Sequence, residues 1–183
     1  MRVITGSAHG RRLITLEGEN VRPTPERVKE ALFSIIQFQI EGRRVLDLFA
    51  GSGQLGIESL SRGAKQTVFV DASRDSIAVI QKNLESTGLT ENARVKNMDF
   101  AAFLLQNRES FDLAFLDPPY RTGLLQRALP MVANTMNQGG AIICENPSDE
   151  EMPESAGDFV RVRSYHYAKI ILTLYRHKDV IEE

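Results

Sequence analysis

Short apolar runs alternate with segments of helical periodicity through most of the chain. The apolar runs are residues 45–50, 67–72, 93–98, 112–117 and 141–146, and the helical segments between them are residues 54–61, 74–87, 99–107 and 122–136. This alternation is typical of a parallel sheet with helices packed on both of its faces. It predicts an α/β fold of the doubly wound, Rossmann-like type.

The N-terminal part of the chain departs from this alternation. Residues 2–5 and 12–16 alternate apolar and polar positions on either side of a glycine-containing turn, which predicts a β-hairpin. A helix is expected next, with Thr24 as its N-cap and Pro25 at its first position. Apolar residues then recur at helical spacing between residues 28 and 36, so this helix should bury one face.

The C-terminal part contains two strand-like runs, residues 159–167 and 168–176, with almost nothing between them. A connection that short permits only an antiparallel pair, so a hairpin should complete the mostly parallel sheet. We expect one compact domain overall. In it, residues 1–40 form a hairpin and helix extension, and residues 41–183 form the larger α/β domain.

The composition is that of an ordinary globular protein, with 42% hydrophobic and 25% charged residues. No apolar run is long enough to span a bilayer, and the N-terminus has no apolar region typical of a signal peptide. We therefore expect a cytoplasmic protein with no membrane partner. The single cysteine, Cys144, excludes an internal disulfide, and the three histidines show no ligand spacing, so no metal is expected.

The distribution of charge says more than the net charge of −2. Residues 1–14 contain three arginines and no acid, whereas the acidic residues concentrate in 149–158, which should be a solvated loop. Phosphate contacts position a protein on nucleic acid, so the basic region is a candidate RNA-binding arm. A solvated basic face is the alternative. The candidate RNA-binding residues are Arg2, Arg11, Arg12, Arg22 and Arg27.

A glycine-rich loop from Gly51 to Gly56 follows the first strand of the alternation and opens a helix. It matches the G-x-G-x-x-G pattern of dinucleotide binders, and Asp71 lies twenty residues after Gly51, where a carboxylate would bind ribose hydroxyls. Asp47, just before the loop, favours a different cofactor. A carboxylate there repels a pyrophosphate but attracts the sulfonium and ammonium groups of S-adenosylmethionine. Gln54, inside the loop, is expected to face outward.

Asp117-Pro118-Pro119-Tyr120 ends the fourth run of the alternation. Two prolines fix the backbone and remove two donors, which leaves carbonyl groups and one carboxylate to accept hydrogen bonds. Such a display would orient the amine of an aromatic base, while the ring of Tyr120 stacks on the base face. A strand-terminating turn with an incidental aromatic residue is the alternative. Asp99, after the third run, is either a partner of the cofactor adenine or a helix N-cap.

These motifs resemble those of class I methyltransferases that act on amino groups. More narrowly, the whole chain is similar to the RsmD family of bacterial 16S rRNA guanine-N2 methyltransferases. Three further stretches carry this resemblance: residues 4–13, residues 22–33 and residues 56–64. The resemblance implies a seven-stranded sheet in the order 3-2-1-4-5-7-6. It also implies methyl transfer from S-adenosylmethionine to a guanine of the position-966 class, in 16S rRNA or in a small-subunit assembly particle, by a monomer.

Two sets of candidate residues follow from the motifs and the resemblance together. The candidate cofactor-binding residues are Asp47, Gly51, Ser52, Gly53, Asp71, Ala72, Asp99 and Phe100, and the candidate catalytic residues are Asp117, Pro118, Pro119 and Tyr120. Three other functions remain open at this point. They are an adenine-N6 methyltransferase acting on DNA or another RNA, a non-catalytic RNA-binding module with the same fold, and a nicotinamide-dependent dehydrogenase.

Overall fold

A computed structural model describes residues 1–18 and 23–181 of the chain. Its centre is a twisted sheet in which the first five strands are parallel. The order of the strands is β3-β2-β1-β4-β5-β8-β7-β6. Their bounds are β1 (Arg44–Leu48), β2 (Gln66–Asp71), β3 (Ala93–Asn97), β4 (Phe111–Leu116), β5 (Met136–Pro147), β6 (Ser155–Ala156), β7 (Phe159–Tyr167) and β8 (Ile170–His177).

Helices cover both faces of this sheet, as the alternating pattern predicts. They are α1 (Glu26–Ile35), α2 (Gln54–Ser61), α3 (Arg74–Thr87), α4 (Phe100–Gln106) and α5 (Leu124–Ala133), followed by a 3-10 turn at Lys178–Val180. Successive residues of β1 point to opposite faces, so Val45 packs with α1, α2 and α3 while Leu46 packs with α4 and α5. None of the helices in the described part of the chain is long and apolar enough to cross a membrane.

The C-terminal strands form the expected hairpin. Strand β8 pairs antiparallel with β5 on one side and with β7 on the other. The expected seven strands in the order 3-2-1-4-5-7-6 are all present, but an eighth is added. The two-residue strand β6 pairs with β7 at the edge of the sheet. It lies in a polar loop, so no apolar run in the sequence predicts it.

The predicted N-terminal hairpin is present, but its strand pairing is shorter than expected. The two segments run antiparallel, but a single bridge between Arg2 and Arg12 replaces the expected pair of strands. The reason is that nearby backbone donors bind α2 instead of the opposite segment. The N–H groups of Ile4 and Thr5 donate to the Glu58 carboxylate at 2.8 and 3.0 Å, and the N–H of Ala8 donates to Ser61 Oγ at 2.9 Å.

Helix α1 is held against the sheet domain by a buried charge pair. Lys29, which is 1% exposed, donates to the Arg2 carbonyl at 2.9 Å, and its Nζ lies 3.5 Å from a carboxylate oxygen of the buried Glu58. Burial lowers the pKa of Lys29, although Glu58 opposes this effect. Residues 1–18 are therefore fixed to the sheet domain through α1 and α2 by hydrogen bonds as well as by apolar packing.

The predicted N-cap of α1 is wrong. Pro25 occupies the N-cap position, and the helix has no side-chain capping hydrogen bond. The hydroxyl of Thr24 is turned instead toward two acidic residues at the carboxyl end of the sheet. A residue that sequence patterning assigns to helix capping thus contributes to the candidate active site.

Candidate active site

A crevice of about 1060 Å³ lies beyond the carboxyl ends of the parallel strands, where ligands bind in open α/β sheets. It opens where the strand order reverses, between β1 and β4. All the predicted cofactor residues except Gly53 line this crevice, and so do the four residues of the Asp117–Tyr120 motif. The fold therefore brings the two predicted sets together in one cavity.

The glycine loop follows β1 and turns the chain sharply into α2. Gly51 and Gly53 adopt positive φ values of 59° and 81°, which favour glycine. Gly53 lies behind the crevice, where an added Cβ would come within 3.3 Å of the Phe69 ring. Gly56 has the least room, because its Cβ would lie 2.3 Å from that same ring. The last glycine of the motif therefore lets α2 pack closely on β2.

Two carboxyl groups hold this loop through hydrogen bonds from its backbone N–H groups. Asp47 Oδ2 accepts the Gly56 N–H at 2.9 Å, and Asp71 Oδ2 accepts the Gly51 N–H at 2.9 Å. The other oxygen of Asp71 accepts the Ser73 N–H at 2.9 Å. Both acids thus shape the loop, and both also line the crevice.

Asp47 is 2% exposed, and burial raises its pKa to about 8. The hydrogen bond from Gly56 opposes this shift, and the charge of Asp71 adds to it. A cation placed beside this group would favour its ionised form. The carboxyl group is thus matched to a positively charged ligand.

The polarity of the crevice suits a cationic ligand in general. Among the described residues that line it, only Arg121 is basic, and its guanidinium pairs with Asp149 at 2.6 Å. The acidic lining residues are Glu17, Asp47, Asp71, Asp75, Asp99, Asp117 and Glu145. Such a lining attracts the sulfonium and ammonium groups of S-adenosylmethionine and repels a pyrophosphate. The residues present therefore fit S-adenosylmethionine better than a dinucleotide.

Asp99 caps α4, which was one of its two interpretations. Its Oδ2 accepts the N–H groups of Ala101 and Ala102 at 3.0 and 3.2 Å. The residue also lines the crevice, so the cap does not remove it from a ligand. Beside it, the rings of Phe49 and Phe100 lie 5.2 Å apart and form an apolar wall suited to a planar base.

The Asp117–Tyr120 motif extends from the end of β4 into the crevice. Pro118 is buried and Pro119 is exposed, while Asp117 and Tyr120 are partly exposed. Burial, reinforced by the negative charges of Glu145 and Asp47, raises the pKa of Asp117 well above its usual range. A carboxyl group in this setting is a strong proton acceptor when it is ionised.

Glu145, on β5, is a member of the site that the sequence analysis missed. It is 5% exposed, and it accepts the Tyr120 hydroxyl at 2.8 Å and the Thr24 hydroxyl at 2.8 Å. Thr24 also lies 3.3 Å from Asp117 Oδ2. The sequence does contain a signal for this residue, which is a charged side chain inside the apolar run 141–146. A charged group buried in a strand requires hydrogen-bonding partners, so its presence indicates a polar site.

Gln54 corrects another expectation. It does not face outward but is 6% exposed, between the N-terminal segment and the crevice. Its Oε1 accepts no hydrogen bond from the residues that the structure describes. The position follows from the left-handed Gly53, which directs the first residue of α2 inward.

Most of the candidate RNA-binding arginines are exposed, and they lie in residues 1–18 and in α1. Arg11, Arg12 and Arg27 are solvent-exposed, whereas Arg2 pairs with Glu26 at 2.9 Å. Arg22 lies outside the residues that the structure describes. Over residues 1–18 and 23–181, no cluster of three or more His, Cys, Asp or Glu side chains could hold a metal ion.

Comparison with known proteins identifies the family of this chain. The family model described as "conserved hypothetical protein 95" matches residues 1–176. The "Putative rRNA methyltransferase YlbH" of Bacillus subtilis is 39% identical, with 97% of this chain and all of that protein covered. The "Ribosomal RNA small subunit methyltransferase D" of Escherichia coli is 31% identical, with 97% of this chain and 90% of that protein covered.

The solved structures agree with the sequence relatives. The Escherichia coli protein described as "Putative methyltransferase yhhF" superposes with a TM-score of 0.86 at 31% identity, and the match covers 97% of each chain. The superposition includes the N-terminal segment as well as the sheet, so the two proteins share the same overall fold. The chain belongs to the RsmD family and has the fold of the class I methyltransferases.

Proposed function

We propose that this protein transfers a methyl group from S-adenosylmethionine to the exocyclic N2 of a guanine in small-subunit rRNA, at the position-966 class of site. The observation that carries the proposal is the placement of the Asp117–Tyr120 motif in the same acidic crevice as the glycine loop. The names of the relatives in Bacillus subtilis and Escherichia coli support rRNA as the substrate class.

The cofactor would lie along the glycine loop. Bound S-adenosylmethionine supplies an electrophilic methyl group, whose carbon bonds to the amine nitrogen as its bond to sulfur breaks. Asp71 and Asp99 line the crevice, where Asp71 would accept the ribose hydroxyls and Asp99 would accept the adenine amine. Asp47, near the end of β1, would stabilise the positive charge of the bound cofactor.

The target base must leave its stack to reach this crevice, because its amine cannot approach a buried methyl group inside paired RNA. The ring of Tyr120 would stack on the extruded base. The carboxylate of Asp117 and the Pro118 carbonyl would accept the two amine hydrogens. These contacts hold the nitrogen in line with the methyl carbon, and positioning of two bound reactants supplies most of the rate acceleration.

The proton of the amine has a defined destination. The nitrogen becomes acidic only as the new bond forms, so no strong base is needed beforehand. The Asp117 carboxylate, whose pKa is raised by burial and by the neighbouring acids, accepts the proton at that point. The crevice is open to solvent beside Asp117, so the proton then passes to water.

The direct test is to map methylated guanines in rRNA from cells with and without the gene, and then to restore methylation with purified protein. One small-subunit guanine should lose its N2 methyl group in the deletion strain. Asp117→Asn should lower the single-turnover rate by about 100-fold or more, while the affinity for S-adenosylhomocysteine changes little. Modification of an adenine, or an unchanged rate in Asp117→Asn, would contradict the proposal.

We also propose that the protein acts as a monomer in the cytoplasm, on rRNA or on a small-subunit assembly particle. Methylation of naked 16S rRNA and of purified particles by the same enzyme preparation distinguishes the two substrates. Sedimentation of the protein at working concentration tests the monomer.

A further inference from the structure

Glu145 connects two parts of the active site that are distant in sequence. Its Oε1 accepts the hydroxyl of Tyr120, which lies in the loop after β4, at 2.8 Å. Its Oε2 accepts the hydroxyl of Thr24, which lies just before α1, at 2.8 Å. The two hydroxyl donors are thus attached to one buried carboxyl group on β5, the strand next to β4.

The position of Glu145 is fixed by the sheet. It pairs with Leu172 of β8 on one side, and β4 lies on the other. A buried carboxyl group can be retained only if its oxygens are hydrogen-bonded, and each oxygen of Glu145 accepts one hydroxyl. Glu145 is therefore a rigid anchor rather than a mobile surface acid.

Tyr120 lies in a largely exposed loop, where a contact with a buried group of the sheet restricts its ring. Pro119 before it is exposed, and residues 121–123 after it are exposed as well. Arg121 adopts a positive φ of 59°, so the chain turns sharply directly after the tyrosine. The hydroxyl contact with Glu145 holds the ring in one orientation above the crevice.

Thr24 connects the N-terminal segment to the Glu145 carboxyl group. It is 5% exposed and precedes α1, the helix that carries the exposed Arg27. The buried pair of Lys29 and Glu58 fixes α1 on the sheet domain. A displacement of the N-terminal segment would therefore be transmitted to Tyr120 through the shared carboxyl group.

We propose that Glu145 is a positioning residue that holds the Tyr120 ring ready for the extruded base and couples it, through Thr24, to the N-terminal segment. This inference rests on the proposed function, because it assumes that Tyr120 stacks on the target base. It assigns a role to the tyrosine hydroxyl, whereas stacking alone requires only the ring. Ordering the ring before the base arrives removes part of the entropy cost of capture.

The test uses Glu145→Leu, Tyr120→Phe and the double variant. Two quantities are measured: the saturating single-turnover rate on small-subunit RNA, and the fluorescence of 2-aminopurine placed at the methylated position, which reports base extrusion. Each single variant should lower the rate and the extruded fraction by about tenfold, the scale of one side chain that must be ordered. The double variant should be no worse than Glu145→Leu alone, because both substitutions remove the hydrogen bond between Tyr120 and Glu145.

Three further variants separate positioning from general stability. Glu145→Gln keeps an acceptor for the tyrosine hydroxyl and should restore most of the rate. Tyr175→Phe removes another largely buried hydroxyl, which donates to the Pro153 carbonyl at 2.7 Å, and Thr173→Val removes a hydroxyl bonded to Asn146 at 2.9 Å. Both should lower the melting temperature without changing base extrusion.

The outcomes also separate this inference from the proposed function. If the wild-type protein methylates no small-subunit guanine, the proposed function fails. If it does, and both Glu145→Leu and Tyr120→Phe retain wild-type rates and extrusion, only the positioning role of Glu145 is excluded. Additive losses in the double variant would likewise exclude it, and Tyr120→Phe answers the question even if Glu145→Leu fails to fold.

Discussion

Asp47 illustrates how one buried carboxyl group links the cofactor crevice to the stability of the fold. Its side chain supports the glycine loop through Gly56, and burial raises its pKa to about 8. The unfolded chain titrates this group near its ordinary value of 3.8. Between these two values the folded protein binds one more proton than the unfolded chain, so this group makes the fold less stable as the pH rises.

Asp47→Asn should therefore gain stability relative to the wild type as the pH increases from about 4 to about 8, and the difference should level off above that range. Asparagine retains an acceptor for the Gly56 N–H, and it has no charge at any pH. Thermal unfolding of both proteins over this range measures the difference. Parallel melting curves for the two proteins would show that Asp47 does not titrate with a raised pKa.

Gln54 is a buried residue whose side-chain Oε1 accepts no hydrogen bond from the described residues. An unsatisfied buried acceptor costs about 1–3 kcal/mol, so Gln54→Met, which keeps the length of the side chain, should raise the free energy of unfolding by about 1 kcal/mol. Urea denaturation measures this change.

Asn83 offers a matched control for Gln54. Its amide is also buried, but it donates to the carbonyl groups of Ile14 and Ser52 and accepts the Ile14 N–H at 2.7 Å. Asn83→Leu should lower the stability, because it leaves those backbone groups without partners. If the two variants lose stability equally, the Gln54 amide is satisfied in solution.

The elements of the sheet domain could be predicted closely from the sequence, because short-range patterns determine them. Helices α2 and α3 begin and end at the predicted residues, 54–61 and 74–87. Their boundaries are set by local signals, since α2 follows a left-handed glycine and α3 has a serine N-cap and a glycine C-cap. The N-terminal segment was predicted less well, because several of its backbone N–H groups bond to α2 and only part of the pairing between its two arms remains.

That segment also carries the prediction about RNA docking. Each phosphate that the protein neutralises contributes about 0.7–0.9 to the slope of log affinity against log salt concentration. Replacing Arg11 and Arg12 with alanine should therefore weaken RNA binding and reduce that slope by about 1–2, while the affinity for the cofactor is unchanged. Filter binding at several salt concentrations measures both quantities.

A control for the arginine pair lies on the opposite face of the sheet. Lys96 and Arg108 are exposed and lie on the side of the sheet covered by α4 and α5, whereas residues 1–18 pack on the side covered by α1, α2 and α3. Replacing both with alanine removes the same amount of charge far from the proposed docking surface. An equal loss of slope in both double variants would mean that the RNA does not contact the N-terminal segment specifically.

At the scale of the whole molecule, the sequence by itself determined the α/β alternation, the glycine loop and the Asp117–Tyr120 motif. Each of these depends on neighbours within a few residues, so periodicity and turn chemistry are enough to reveal it. The convergence of the loop and the motif on one crevice also followed, because the carboxyl ends of parallel strands share one edge of the sheet.

Only the tertiary structure decided which side chains complete that crevice. Thr24 looked like a helix cap and Gln54 like a surface residue, yet both are buried, and Thr24 lies beside Glu145 although 121 residues separate them. Contacts at such a separation depend on how the N-terminal segment packs against the sheet, and no local pattern encodes that packing. Local propensity fixes where elements begin and end, whereas the need to satisfy buried polar groups selects their partners from the whole fold.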